Sequence, residues 1–122
     1  MIATVSTFEQ QRAGGDPQVA YDLLAPRWQA TFGSLDRFRT QMRDYMGSGA
    51  REYRITGVTR DPSRLSPATV GDAWPDIEPA AETGAAWVVD VRHPNVRGAS
   101  AGSEVLLVAP DPTGRLRIWI LH

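Results

Sequence analysis

His93 and Tyr53 are the two side chains of this chain best placed by type and pattern to handle a proton. An imidazole changes charge near neutral pH, and a phenol can donate to or accept from a bound oxygen. His93 is the only internal histidine and shares strand parity with Trp87, Val89 and Val91, which puts it on an apolar face. No acid or nucleophile stands at a spacing that would complete a catalytic set with it. It also precedes Pro94-Asn95, where a solvated histidine is ordinary, so the structural role is the expected one. Tyr21, Trp28, Tyr53 and Trp87, together with His93, could line a ligand pocket, offering apolar walls with a few polar tips. Their rival role is core packing with the polar ends reaching water.

Other chemistry is excluded by residue type. With no cysteine there are no disulfides, thiol nucleophiles or thiolate metal sites. Asp72, Asp76, Glu78 and Glu82 match no calcium loop, so no metal site is expected. Gly98-Ala99-Ser100-Ala101-Gly102 joins two strands rather than opening a helix, which leaves no phosphate cradle and no expected cofactor. A net charge of -1 argues against a general basic field for nucleic acid. Every basic side chain is arginine, which is read as a compositional bias of the source rather than a function. No apolar run is long enough to span a bilayer, and the first residues lack the basic and apolar segments of a signal peptide. As written the chain is expected in the cytoplasm; behind a trimmed leader it would be secreted or membrane-anchored.

The elements that must position these residues follow from period and punctuation. At 122 residues, 42% hydrophobic and 22% charged, the chain fits one domain over 1–122. Ile2, Val5 and Phe8 recur at helical spacing, followed by polar Glu9, Gln10, Gln11 and Arg12, and Gly14-Gly15 ends that helix. Asp16 is an N-cap with Pro17 behind it, opening a helix that buries Val19, Ala20, Leu23 and Leu24. A short helical turn over 27–32 follows. Ser34 then caps a helix with Leu35, Phe38, Met42 and Tyr45 on one face, stopped by Gly47-Ser48-Gly49. Alternation over 51–59 reads as a first strand, with a bulge at Gly57. Residues 61–84, with four prolines, read as a flap pinned by Trp74 and holding a short strand near 68–70.

Ala85–His93, Ser103–Pro110 and Arg115–Leu121 read as three strands joined by connections too short for a crossover helix. An antiparallel meander follows. Parity puts Trp87, Val89, Val91 and His93 on one face, with Val105, Leu107, Ala109, Leu116, Ile118 and Ile120 expected beside them against the helices. The opposite face then holds Val88, Asp90, Leu106, Val108, Arg117 and Trp119. It is too apolar for water, so Val88, Leu106, Val108, Arg117 and Trp119 are expected to form a homodimer interface, with Asp90 and Arg117 pairing across it.

Helix, Gly-Gly-Asp-Pro turn, helix, Ser-capped helix and a meander ending in Arg117-Ile118-Trp119-Ile120 resemble the nuclear-transport-factor-2-like superfamily, the cystatin-like cone. Phe8-Glu9-Gln10-Gln11-Arg12-Ala13-Gly14-Gly15-Asp16-Pro17 through Leu23-Leu24, and Ser34-Leu35-Asp36-Arg37-Phe38, carry the likeness. The resemblance implies an α+β fold in which N-terminal helices pack on a curved antiparallel sheet of about four strands around a pocket. It does not imply one activity. Isomerases of that superfamily use an aspartate base with tyrosine and acid oxyanion donors. No such set can be placed here, since Asp90 falls on the outer parity, and the accessory or uncharacterised branch is the better match. The expected function is a non-catalytic domain binding an apolar small molecule or a protein partner through an acid-poor pocket. The alternative is an isomerase-, dehydratase- or hydrolase-like enzyme on a hydrophobic substrate, with His93 and Tyr53 as its proton-handling groups.

Overall fold

A computed structural model describes residues 1–45, 47, 51–95 and 102–121. Most of the Gly47-Ser48-Gly49 stop, most of the 98–102 connection and His122 lie outside the described residues. The fold is α+β: helices come first, and an antiparallel four-stranded sheet that does not close follows.

Several helix ends have a local cause. Helix α1 (Ile2–Gly14) carries Val5, Phe8, Glu9 and Arg12 on its buried side. Helix α2 (Pro17–Leu23) is opened by Asp16, whose carboxylate accepts from the Gln18 N–H at 3.0 Å, with Pro17 where its missing N–H costs nothing. Helix α3 (Pro26–Phe32) ends at Gly33, whose φ of 90° is open to glycine. Helix α4 (Leu35–Tyr45) is capped by Ser34, whose hydroxyl accepts from the Arg37 N–H, and buries Phe38 and Met42.

The strands are β1 (Arg54–Thr59), β2 (Trp87–Arg92), β3 (Ser103–Pro110) and β4 (Leu116–Ile120), in that order across the sheet. The pairing of β1 with β2 shifts between Ile55 and Gly57, so the bulge read from Gly57 is present. At the far edge the Ala25 N–H donates to the Ile118 carbonyl at 2.9 Å, tying the α2–α3 junction to β4.

Residues 61–84 are not a flap, and no strand lies near 68–70. They form helix α5 (Pro67–Val70), a 3-10 turn (Gly71–Ala73) and helix α6 (Trp74–Glu82). Pro67 and Pro75 stand in first turns, where proline is tolerated, and Pro79 alone interrupts a helix. Val70, Ala73, Ile77 and Ala80 are a helical stripe, and all four are buried. Trp74, expected to pin the segment, is half-buried at the margin of this layer.

This second helical layer corrects the assignment of faces. Val89 pairs with Leu106, and Val91 with Glu104, so the even-numbered residues of β3 face α1, α2 and α4. Val105, Leu107 and Ala109, expected there, face α5 and α6 instead. Both faces of β3 are apolar, so alternation could not choose between them. The residues expected at a dimer interface are satisfied within one chain. Val88 and Trp119 are buried under α5 and α6, and Leu106 and Val108 lie in the core beneath α1, α2 and α4. Arg117 pairs with Asp111 at 2.9 Å and donates to the Asp22 carbonyl, while Asp90 takes a two-pronged pair from Arg64 at 2.7 and 2.8 Å. Both members of the expected Asp90–Arg117 pair are thus engaged within the chain.

Ile77 is wholly buried between α6 and the outer face of the sheet. Ile77→Ala is expected to cost about 2–5 kcal/mol through lost burial and the cavity left behind. Urea unfolding followed by tryptophan fluorescence would measure it; a change under about 0.5 kcal/mol would mean that this layer does not cover the sheet.

Candidate functional site

Where α1, the end of β2 and the start of β3 meet, four ionisable side chains are buried together. On the buried stripe of α1, Val5 and Phe8 are followed by Glu9 and Arg12 at the same helical spacing. The Arg12 Nε–H donates to Glu9 Oε2 at 3.1 Å, and Nη2 donates to both Glu9 oxygens at 2.7 and 2.8 Å. Nη2 also donates to Glu104 Oε1 at 2.5 Å. Side-chain exposure is 1% for Glu9, 2% for Arg12, 7% for Glu104 and nil for His93. Phe8 and Tyr45 stack on the guanidinium, their ring centres 4.7 and 5.4 Å from its carbon. Tyr45 also meets the His93 ring edge-on at 5.7 Å.

His93 is oriented by backbone. Its Nδ1 lies 3.0 Å from the Glu52 carbonyl, and a carbonyl only accepts, so Nδ1 carries hydrogen. Nε2 is thereby turned to the cluster, 3.4 Å from both Arg12 Nη2 and Glu104 Oε1 and 3.8 Å from Glu9 Oε2. A neutral ring accepts from Arg12 there, and a protonated ring donates to Glu104.

The two carboxyls titrate apart. Burial pushes Glu9 up to about 9, against the pull of Arg12 and with the help of its contact with Glu104. Burial also works against Glu104, but hydrogen bonding with His93, the charge of Arg12 and contact with Glu9 outweigh it and hold Glu104 down at about 2. Burial and the Glu104 charge raise the Tyr45 phenol. Two carboxyls thus share one guanidinium, and burial favours a proton on Glu9 rather than a second negative charge.

Glu9, His93 and Glu104 bring three potential ligand atoms within 4.8 Å of one another, a set of the kind that holds a divalent cation. The guanidinium of Arg12 fills that place, within hydrogen-bond reach of both carboxylates. It supplies the positive charge a metal would bring, so no metal is assigned.

Arg12, Glu104 and Tyr45 form one end of a cavity of about 530 Å³ between α3, α4 and the edge of the sheet. Trp28, Phe32, Met42 and Ile120 give it apolar walls, and Thr31, Gln41 and Ser103 complete the lining. Of the residues expected to line a pocket, only Trp28 does so here. His93 lies behind Glu104, and the Tyr21 hydroxyl donates to the Gln29 carbonyl at 3.2 Å, with its ring against Phe38. The Tyr53 hydroxyl is 3.4 Å from Gln10 Nε2, and Trp87 is covered by Arg60. His93 and Tyr53 have different partners, so the expected proton-handling pair is not assembled. The expectation of an acid-poor hollow also fails, because Glu104 reaches the cavity with Glu9 behind it. Reading 5, 8, 9 and 12 as one helical stripe would have shown two charges on a buried face.

Compared with family models, with curated proteins and with solved structures, the chain matches none.

Proposed function

We propose that this protein is a non-catalytic small-molecule-binding domain of the nuclear-transport-factor-2-like kind, whose cavity takes an amphipathic ligand. The apolar body of the ligand lies among Trp28, Phe32, Met42 and Ile120, and its polar end meets Arg12, Glu104 and Tyr45. The observation that carries this reading is the pairing of an apolar-walled cavity with a buried charge cluster at one end. The acid–base inventory favours binding over catalysis. Glu9 and His93 are buried behind Arg12 and Glu104 and do not line the cavity. Glu104, which does reach the cavity, is held at about 2 and is a weak base. The enzymatic alternative therefore rests on Glu104 alone, with His93 as the relay behind it.

Gln41 and Thr31 are exposed on the cavity lining, so large side chains there obstruct it with little demand on the core. An uncharged fluorescent probe such as N-phenyl-1-naphthylamine is expected to bind at one site. Gln41→Trp and Thr31→Trp are each expected to weaken it by about tenfold or more, a loss of about 1.4 kcal/mol or greater. Fluorescence titration reads both. Unchanged affinity in both variants, or no saturable binding to the parent protein, would defeat the proposal.

A further inference from the structure

An arginine at the end of a cavity invites the assignment of an acidic ligand, but the contacts of Arg12 point the other way. Its Nε–H and Nη2–H groups already donate to Glu9 and Glu104. A ligand carboxylate would have to compete with two resident carboxylates for those donors, with only Nη1 outside their hydrogen bonds. It would also bring a third negative group beside Glu104. Among the described residues, the groups facing this end are Glu9 and Arg12 from α1, Tyr45 from α4, His93 from the end of β2 and Glu104 from β3. They set two carboxyls against one fixed cation. One further positive charge completes the balance.

In the free protein the Glu9 carboxyl, which burial pushes up and which shares one guanidinium with Glu104, supplies that charge as a proton. A ligand cation can supply it instead. Glu104 is the member of the pair that reaches the cavity, and the rings of Trp28, Phe32 and Tyr45 line the approach. Aromatic faces attract an ammonium and repel a carboxylate.

We propose that the cavity takes a primary amine carried on an apolar body, its ammonium docking on Glu104 and displacing the proton that balances Glu9 and Glu104 against Arg12. This deepens, and rests on, the reading of the cavity as a small-molecule site. No bond is made or broken in the ligand. The ammonium donates hydrogen bonds to the Glu104 carboxylate, and the released proton passes to buffer.

Three probes of one body and three heads test it by isothermal titration calorimetry: 4-phenylbutylamine, 4-phenylbutan-1-ol and 4-phenylbutanoate. At pH 7 the amine is expected to bind about tenfold or more tighter than the alcohol, a charge-assisted hydrogen bond being worth at least that. The acid is expected to bind most weakly. Repeating the amine titration in buffers of different ionisation enthalpy is expected to show roughly one proton released per amine bound. Glu104→Gln is expected to bring the amine down to the affinity of the alcohol. If that variant does not fold, the ranking on the parent protein and its proton count decide alone. An acid that binds as tightly as the amine, or amine binding with no proton released, would overturn the amine assignment and leave the cavity reading standing. Failure of all three probes while N-phenyl-1-naphthylamine still binds would overturn the amine assignment alone, and failure of that probe as well would overturn both.

Discussion

Replacing Arg12 with methionine is expected to cost the fold about 3–5 kcal/mol at pH 7, the usual penalty for removing one partner of a buried ion pair. Methionine keeps much of the length and apolar volume of the arginine stem, so the loss reports charge rather than a void. Glu9 and Glu104 are almost fully removed from water, and Arg12 is the fixed cation they share. Without it Glu104 must either stay ionised in an apolar surround or take up a proton, and both cost free energy. A domain of this size has about 5–15 kcal/mol of stability in all, so the variant should be partly unfolded at modest urea concentration. Lowering the pH towards 4 is expected to restore part of the loss, because both carboxyls can then be neutral. Adding Glu9→Gln and Glu104→Gln to the methionine variant is expected to recover much of it at pH 7. Urea midpoints followed by tryptophan fluorescence measure all of these. A methionine variant within about 1 kcal/mol of the parent at pH 7 would mean that the cluster is hydrated and is not the buried site described.

Much of the architecture was legible because each element announced its own limits. Asp16-Pro17 and Ser34 punctuate the first helices, and the turn at Asp111–Arg115 closes on its own aspartate, which accepts from the Thr113 and Arg115 N–H groups. The meander of β2, β3 and β4 follows from short connections and β-branched runs. Two inferences failed where the pattern was degenerate. The prolines of 61–84 spoke for a loop, yet Pro67 and Pro75 stand where helices begin, and the stripe of Val70, Ala73, Ile77 and Ala80 was masked by small side chains. On β3, apolar residues alternate with apolar residues, so one face looked much like the other until pairing with β2 fixed the register.

That single inversion hid the site. With Leu107 inward, parity puts Glu104 on the outer face, which leaves the expected hollow poor in acids. With Leu106 inward, Glu104 comes opposite Val91 and next to the His93 ring. Its partners on α1 are remote in sequence, so no local spacing joins 9, 12, 93 and 104. Only tertiary packing does. The sequence signal that existed was energetic: a glutamate and an arginine continuing an apolar helical stripe must be buried together or not at all.

Glu9→Gln is expected to leave stability nearly unchanged at pH 5 and to raise it by a few kcal/mol at pH 8. The sign follows from the direction of each shift. Glu9 is raised from an ordinary value of 4.5 to about 9. Its contribution is therefore full below about 4.5 and is lost as pH rises towards about 9, since the unfolded chain ionises while the folded one resists. Glu104 is lowered from 4.5 to about 2, so its contribution is present above about 4.5 and is lost as pH falls towards about 2. The parent protein should then be most stable near pH 4.5–5 and weaken steadily on the alkaline side. The acid limb is shared with Asp61, Asp90 and Asp111, whose carboxyls are also held low by hydrogen bonds. On the alkaline side Glu9 is the cluster carboxyl that loses its contribution through pH 8, and the Tyr45 phenol, raised from 10, ionises only beyond it. Glutamine reproduces the shape of a protonated glutamate and cannot ionise, so its profile should be flat from pH 5 to 8 and cross above the parent. Urea midpoints at pH 5, 6.5 and 8 for both proteins decide the matter. A parent profile flat over that range, with Glu9→Gln less stable at pH 8, would mean that Glu9 is ionised in the fold.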